Sequence, residues 1–243
     1  MSKVRLDQLL VARGLAESRA KAKAAIETGC VTVDGQPART ASRATDEDAV
    51  IDYADAHRFV GRGALKLDHA LTLWPVVVQG RVALDIGAST GGFTQVCLER
   101  GATRVFAVDV GADQMHARVA ADARVVNLEH TDARDLTAAL VTQPPELIVC
   151  DVSFIGLAKV LPAALALAGP GVDLVTLVKP QFEATGPGGT RKGVVKDPIA
   201  RQAALSSVSA WLEGRGWIVQ ATTESPITGG DGNVEFLLWA RKS

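Results

Sequence analysis

Short runs of Val, Leu and Ile recur along most of the chain, with amphipathic or polar stretches between them. The runs Val82 to Ile86, Val105 to Asp109, Arg124 to Leu128, Leu147 to Asp151 and Leu174 to Lys179 predict five strands. Stretches such as Phe93 to Arg100 and Thr137 to Val141 predict helices between them. Strand and helix in alternation predict an α/β fold, a doubly wound parallel sheet. The last two apolar runs, Trp217 to Thr223 and Val234 to Trp239, follow a helix ending near Gly214-Arg215-Gly216. Only a loop, Glu224 to Asn233, joins them, so this pair is expected to run antiparallel and the sheet to be mostly parallel with one reversed strand.

The first part of the chain has another rhythm. Leu6, Leu9 and Leu10 follow helical spacing, Gly14 ends that helix, and Ser18 is placed to cap a second. That second helix gathers Ala22, Ala25 and Ile26 on one face and carries Arg19 and Lys23 on another. Val31-Thr32-Val33, a turn at Asp34-Gly35 and Val50-Ile51 then predict a small hairpin. The expected division is a small α+β domain over residues 1–52, a joint over 53–60 and the α/β domain over 61–243.

Composition adds one useful fact. The 243 residues are 47% hydrophobic and 22% charged, a globular balance, and the net charge is only −1. Its distribution is uneven: Met1 to Arg43 holds eight basic residues against four acids, a charge of +4, leaving −5 for the rest. Three cysteines, Cys30, Cys97 and Cys150, form no C-x-x-C pair, which argues against a disulfide framework or a zinc site and predicts no metal. The start has no long apolar core of a signal peptide, and no stretch approaches the roughly 18 apolar residues of a spanning helix. A cytoplasmic protein with no membrane contact is expected.

The chemistry-bearing positions fall at strand ends. Asp85-Ile-Gly-Ala-Ser-Thr-Gly-Gly-Phe-Thr94 lies between the first strand of the sheet and its helix. Gly87, Gly91 and Gly92 let the chain turn sharply and let backbone approach a ligand, with Ala88, Ser89, Thr90 and Phe93 completing the loop. The spacing is not the G-x-G-x-x-G of a nicotinamide site, and Asp85 would repel a pyrophosphate while favouring a cationic ligand. Asp109 ends the second strand, where a carboxylate can accept both hydroxyls of a ribose. Asp132 follows the third strand and suits the cap of a short helix. Asp151 and Lys179 end the fourth and fifth strands; carboxyl ends of parallel strands face one crevice, so the two are expected to pair there.

Two resemblances follow. Arg5-Leu6-Asp7, Ser18-Arg19 and Gly29-x-Val31-x-Val33-x-Gly35 together resemble the S4 RNA-binding module, which implies that Arg5, Arg19, Lys21 and Lys23 meet RNA phosphates. The glycine loop and strand order resemble class I S-adenosylmethionine-dependent methyltransferases. Lys66 in RGALKL, Asp151 in DVSF, Lys179 in LVKPQFE and Glu235 in GNVEF resemble the K-D-K-E tetrad of FtsJ-type RNA ribose 2′-O-methyltransferases. With the S4-like head, nearly the whole chain is similar to the TlyA (hemolysin A) family. That resemblance implies S-adenosylmethionine as cofactor, bound by the Asp85 to Phe93 loop with Asp109, Asp132 and Asp151. It implies ribosomal RNA or a ribosomal subunit as partner and a cytidine ribose, expected in the large subunit, as acceptor.

A ribose hydroxyl is a poor nucleophile until its proton has somewhere to go. Lys179 is the expected base, Lys66 a neighbouring cation, and Asp151 and Glu235 the groups that orient both, although in a coupled cluster the proton belongs to the group. Arg62, and Arg191 and Lys192 in the Gly/Pro-rich stretch after Lys179, are expected to meet RNA. Phe93 and Phe154 are expected to pack around the cofactor pocket. Two other readings stand beside this one: an assembly factor that only binds RNA, which needs a broken tetrad, and a membrane-active hemolysin, which needs an apolar or cationic amphipathic surface helix.

Overall fold

A computed structural model describes residues 3–183, 193–229 and 231–243. The chain divides into two compact units, Met1–Arg58 and Phe59–Ser243.

In the first unit β1 (Lys3–Arg5) leads directly into α1 (Leu6–Ala12), and α2 (Arg19–Glu27) follows. Ser18 caps α2 by accepting the Lys21 backbone N–H at 3.2 Å, as the sequence predicts. The expected turn at Asp34 and Gly35, both at positive φ as a two-residue turn of this hand requires, joins β2 (Val31–Val33) to β3 (Gln36–Pro37) and not to the expected partner run at Val50-Ile51, which lies on the other edge of β2. β4 (Ala44–Asp46) pairs with β1, and β5 (Ile51–Tyr53) pairs with β2. Leu6, Leu10, Ala22, Ala25, Ile26, Val31 and Val33 form the core. Each is an apolar position that the two periodicities place inward.

The second unit runs α3 (Gly63–Leu73), β6 (Val82–Ile86), α4 (Gly92–Glu99), β7 (Arg104–Val108), α5 (Ala117–Ala120), β8 (Val125–Leu128) and β9 (Leu147–Cys150). It continues through α6 (Leu157–Val160), α7 (Pro162–Ala166), β10 (Asp173–Val178), α8 (Pro180–Glu183), α9 (Pro198–Glu213), β11 (Trp217–Glu224) and β12 (Phe236–Lys242). The seven strands order as β11-β12-β10-β9-β6-β7-β8. β12 runs antiparallel to both of its neighbours, and the β10–β9, β9–β6, β6–β7 and β7–β8 pairs are parallel. The mostly parallel sheet with one reversed strand is therefore as expected.

Central strands buried on both faces need apolar residues at every position, which is why they read as continuous runs. Successive residues serve opposite layers. Leu84, Ile148 and Leu174 join one core with α6, α7 and α9, while Ala83, Val149 and Val175 join the other with α3 and α4.

One expected element is different. Residues Thr137 to Val141 form no helix but a single turn, the N–H groups of Leu140 and Val141 both reaching the Thr137 carbonyl at 3.1 and 3.0 Å. Pro144 and Pro145 follow within four residues and hold the preceding chain out of helical backbone, so no second turn can add to the first. The ordered turn nearby is 3-10, Ala133–Asp135, and Val141 packs into the core from a loop. No helix among the described residues is long and apolar enough to cross a membrane.

Candidate active site

β6 and β9 are adjacent, yet the chain leaves β6 for β7 on one side and reaches β9 only after β8. A crevice opens where the two halves diverge, above the carboxyl ends of the strands. The loop after β6 forms its floor. Gly87 sits at φ +82°, and a Cβ there would stand 2.7 Å from the Asp151 carbonyl oxygen. Gly91, at φ +86°, caps α4 and would press Val119. These two positions need glycine, as the sequence reading requires.

Two adjoining cavities occupy the crevice. One, of about 540 Å³, is lined by Asp109, Val110, Gln114, Asp132, Val152 and Phe154 among others. The other, of about 210 Å³, is lined by Gly61, Arg62, Gly63, Ala88, Thr90, Gly92, Phe93 and Lys179. Gly87, Ser89, Asp151 and Ser153 line both. Asp109 accepts the Ser89 and Gly111 backbone N–H groups, each at 2.7 Å, which ties the glycine loop to the end of β7. Each carboxylate oxygen keeps acceptor capacity for a ligand hydroxyl. Asp132 lies in the larger cavity and also caps the 3-10 turn, accepting the Arg134 N–H at 2.9 Å. The Arg134 guanidinium, 2.6 Å away, holds its carboxyl down at about 2.

Asp85 is not at the cavity wall. It is fully buried beneath the loop, its Oδ2 accepting the Thr94 hydroxyl at 2.7 Å and its Oδ1 without a partner. Burial pushes the carboxyl up to about 7, and the charge of Asp151 adds to the rise against the Thr94 bond. Between the ordinary value of 3.8 and about 7, folded Asp85 is protonated while unfolded Asp85 is ionised. The folded state then binds the extra proton, so this residue makes stability fall as pH rises through that window. Asp85→Asn, which keeps an acceptor for Thr94, should flatten the loss of melting temperature between pH 5 and pH 7.5; an unaltered slope would assign it to other groups.

The four tetrad residues converge through topology. Asp151 directly follows β9, Lys179 follows β10, and Glu235 precedes β12. Val178 faces Phe236 across the β10–β12 pair, so Lys179 and Glu235 leave neighbouring strands at the same sheet edge. Lys66, on α3, reaches Glu235 with Nζ 2.6 Å from Oε2. Lys179 Nζ lies 2.7 Å from Asp151 Oδ1. The two lysines are equally buried, 9% and 8% exposed at their side chains, but Lys179 and Asp151 line the cavities whereas Lys66 and Glu235 line neither.

Sequence reasoning missed Ser153. Lys179 Nζ donates a hydrogen bond to the Ser153 hydroxyl, at 2.9 Å, beside its ion pair with Asp151. A serine two residues beyond a strand-end carboxylate is the only hint the sequence offers. Phe93 is buried and lines the smaller cavity, and Phe154 lines the larger one from an exposed position. It is 88% exposed at φ +68°, a costly backbone for a bulky side chain, and its ring lies 5.3 Å from that of Phe182 at the rim of the larger cavity.

In the first unit Asp7 is a shared anchor. Arg5 donates to it at 3.0 and 3.1 Å and Arg19 at 3.3 and 3.0 Å. These bonds, chiefly that of Arg5, hold its carboxyl below the usual range. Arg5 and Arg19 stay about half exposed, and Lys23 does too, beside Glu27 at 3.6 Å. Lys21 is turned inward between Glu17 and Asp55, with 11% of its side chain exposed. Arg62 is exposed in the second unit and donates to the Thr228 carbonyl at 3.2 Å. Arg191 and Lys192 lie outside the described residues.

Residues 59–242 match the FtsJ-like methyltransferase family, and residues 4–51 match the S4 domain. The 16S/23S rRNA (cytidine-2′-O)-methyltransferase TlyA of Mycobacterium tuberculosis is 45% identical over 98% of this chain and 90% of its own length. The chain is an FtsJ-like methyltransferase of the TlyA family. Hemolysin A of Brachyspira hyodysenteriae is 35% identical over 96% of the methyltransferase and 98% of its own length. A solved structure described as a hemolysin from Streptococcus thermophilus superposes with a TM-score of 0.77 at 36% identity, covering all of this methyltransferase and 90% of that chain. S-adenosylmethionine is the cofactor of this methyltransferase. The crevice fits it: two unequal cavities meet at Gly87, Ser89, Asp151 and Ser153, the Asp109 carboxylate lines the larger, and at Gly87 the wall leaves no room for a side chain.

Proposed function

We propose that this protein methylates the ribose 2′-oxygen of a cytidine in ribosomal RNA, in the large subunit, in the cytoplasm. The observation that carries the reading is one amine, Lys179 Nζ, lining the cleft against Asp151 while the second amine of the tetrad is committed to a buried carboxylate outside that lining.

S-adenosylmethionine supplies the electrophilic methyl group. Asp109 and the Gly87 to Phe93 loop hold its nucleoside and amino-acid ends, and Asp132 borders the adenine side. Asp85 keeps the loop in shape from below through Thr94. Lys179 Nζ takes the proton of the ribose hydroxyl, and Asp151 stabilises the ammonium that results. Lys66 and Glu235 neutralise one another and support Lys179 from the adjoining strand. Phe154, exposed and braced on Phe182, offers a ring on which the base of the target nucleotide stacks.

Residues 1–52 act as the RNA-holding head and 61–243 as the catalytic body, joined through 53–60. Arg5 and Arg19, held by one carboxylate, present their outer N–H groups to phosphate, with Lys23 nearby. Arg62 meets RNA at the cleft mouth. The inward turn of Lys21 removes it from the phosphate-binding set. Arg19→Ala should weaken binding to ribosomal RNA at every sequence tested and lower the slope of log K against log salt by about 1. An unchanged slope would place the RNA elsewhere.

The reading as a whole is tested by incubating the protein with methyl-labelled S-adenosylmethionine and separated ribosomal subunits, then mapping the label. Label on the ribose of a large-subunit cytidine is expected. Label on a base, or none on either subunit, would overturn the reading.

A further inference from the structure

We propose that Ser153 is a positioning residue for this reaction, its hydroxyl holding the Lys179 amine in place while that amine is neutral. The inference rests on the reading of Lys179 as the proton acceptor.

A lysine accepts a proton only through the lone pair of its uncharged form. In that form the attraction to Asp151 loses its partner charge, and a four-carbon stem is free to swing. The contact with Asp151 is an ion pair at 2.7 Å, and the charge attraction that makes most of its strength is lost when the amine is neutral. The bond from Nζ to Ser153 Oγ at 2.9 Å is different in kind. A hydroxyl accepts an N–H from ammonium and amine alike, so this bond survives the loss of charge. Proton transfer needs the donor and acceptor within about 2.6–3.2 Å and aligned. A restraint that persists in the reactive state is what that requirement calls for.

The surroundings suit the role. Ser153 lines both cavities, as Asp151 does. Its loop is pinned beyond Phe154, where the Leu157 N–H donates to Glu183 Oε1 at 2.9 Å. Glu183 belongs to α8, the helix that begins immediately after Lys179. The hydroxyl and the amine are thus carried by two segments already fastened together.

The test uses the full-length protein and two substitutions that differ by one hydroxyl. Ser153→Thr retains the oxygen, and Ser153→Val has the same branched shape without it. Ser153→Val is expected to lower kcat for ribosomal RNA methylation roughly 10- to 100-fold, the cost of a misplaced reacting group. KM for RNA and calorimetric affinity for S-adenosylmethionine should stay within about twofold, since neither depends on where the amine points. Ser153→Thr should recover most of the rate. Equal rates for Thr and Val would overturn the proposal, as would a Val defect confined to cofactor affinity. Lys179→Met separates this from the reading beneath it. If that variant still methylates RNA, the proton-acceptor reading itself falls; if it is inactive while Ser153→Val is fully active, only the role of Ser153 does.

Discussion

Replacing Lys179 with methionine should lower ribosomal RNA methylation by about 10³-fold and leave S-adenosylmethionine binding intact. Methionine keeps much of the apolar stem and removes the amine. The loss expected is that of a general base, about 10²–10⁴. The groups proposed to hold the nucleoside, the loop after β6 with Asp109 and Asp132, follow β6, β7 and β8, whereas Lys179 follows β10, so calorimetric affinity should change little. Single-turnover methylation with the RNA in excess isolates the chemical step. A variant that methylates at the parent rate would remove Lys179 from proton transfer and leave Lys66, which lines neither cavity, as the alternative.

The second large effect concerns folding as well as rate. Lys66→Met strands the Glu235 carboxylate, 3% exposed, without its cation. Breaking one partner of a buried ion pair costs about 3–5 kcal/mol, because the remaining charge keeps its desolvation penalty and loses its compensation. Thermal unfolding of this unit should begin about 10 °C lower, given roughly 2–4 °C per kcal/mol for a domain of its size. Replacing both partners, Lys66→Met with Glu235→Leu, removes the stranded charge and should restore most of the melting temperature. Methyl transfer should not return with it, since the charges beside Lys179 are gone. If the double variant regains both stability and activity, the pair is a structural bridge and nothing more.

Much of the site was legible in the sequence because its parts sit where strand periodicity ends. Asp109, Asp151 and Lys179 each terminate an apolar run, and in a parallel sheet such ends converge by topology, whereas Asp85 lies one residue inside its strand and is sealed beneath the loop. The glycine loop was legible for a related reason: Gly87 stands at a backbone angle and a spacing that exclude other residues. What stayed hidden depended on company. Thr137 to Val141 has helical composition, but two prolines and a 3-10 turn leave room for one turn only. Lys21 shares a basic helix with Arg19 and Lys23, and nothing local announces that Glu17 and Asp55 turn it inward. Phe154 resembles a packing residue by type, and its exposure follows from a positive φ that no pattern of hydrophobicity encodes.

The linear order of residues determined the kind of sheet, the reversal of its last strand, the shape of the cofactor loop and the inventory of ionisable groups. It could do so because strand periodicity and glycine backbone freedom are local properties. Only the tertiary structure decided which lysine lines the cleft beside Asp151 and which is paired with Glu235 outside its lining. That choice rests on pairings such as Lys66 with Glu235, 169 residues apart, and on the burial around them. Distance and dielectric between remote segments set it, and both arise only when the chain has closed on itself.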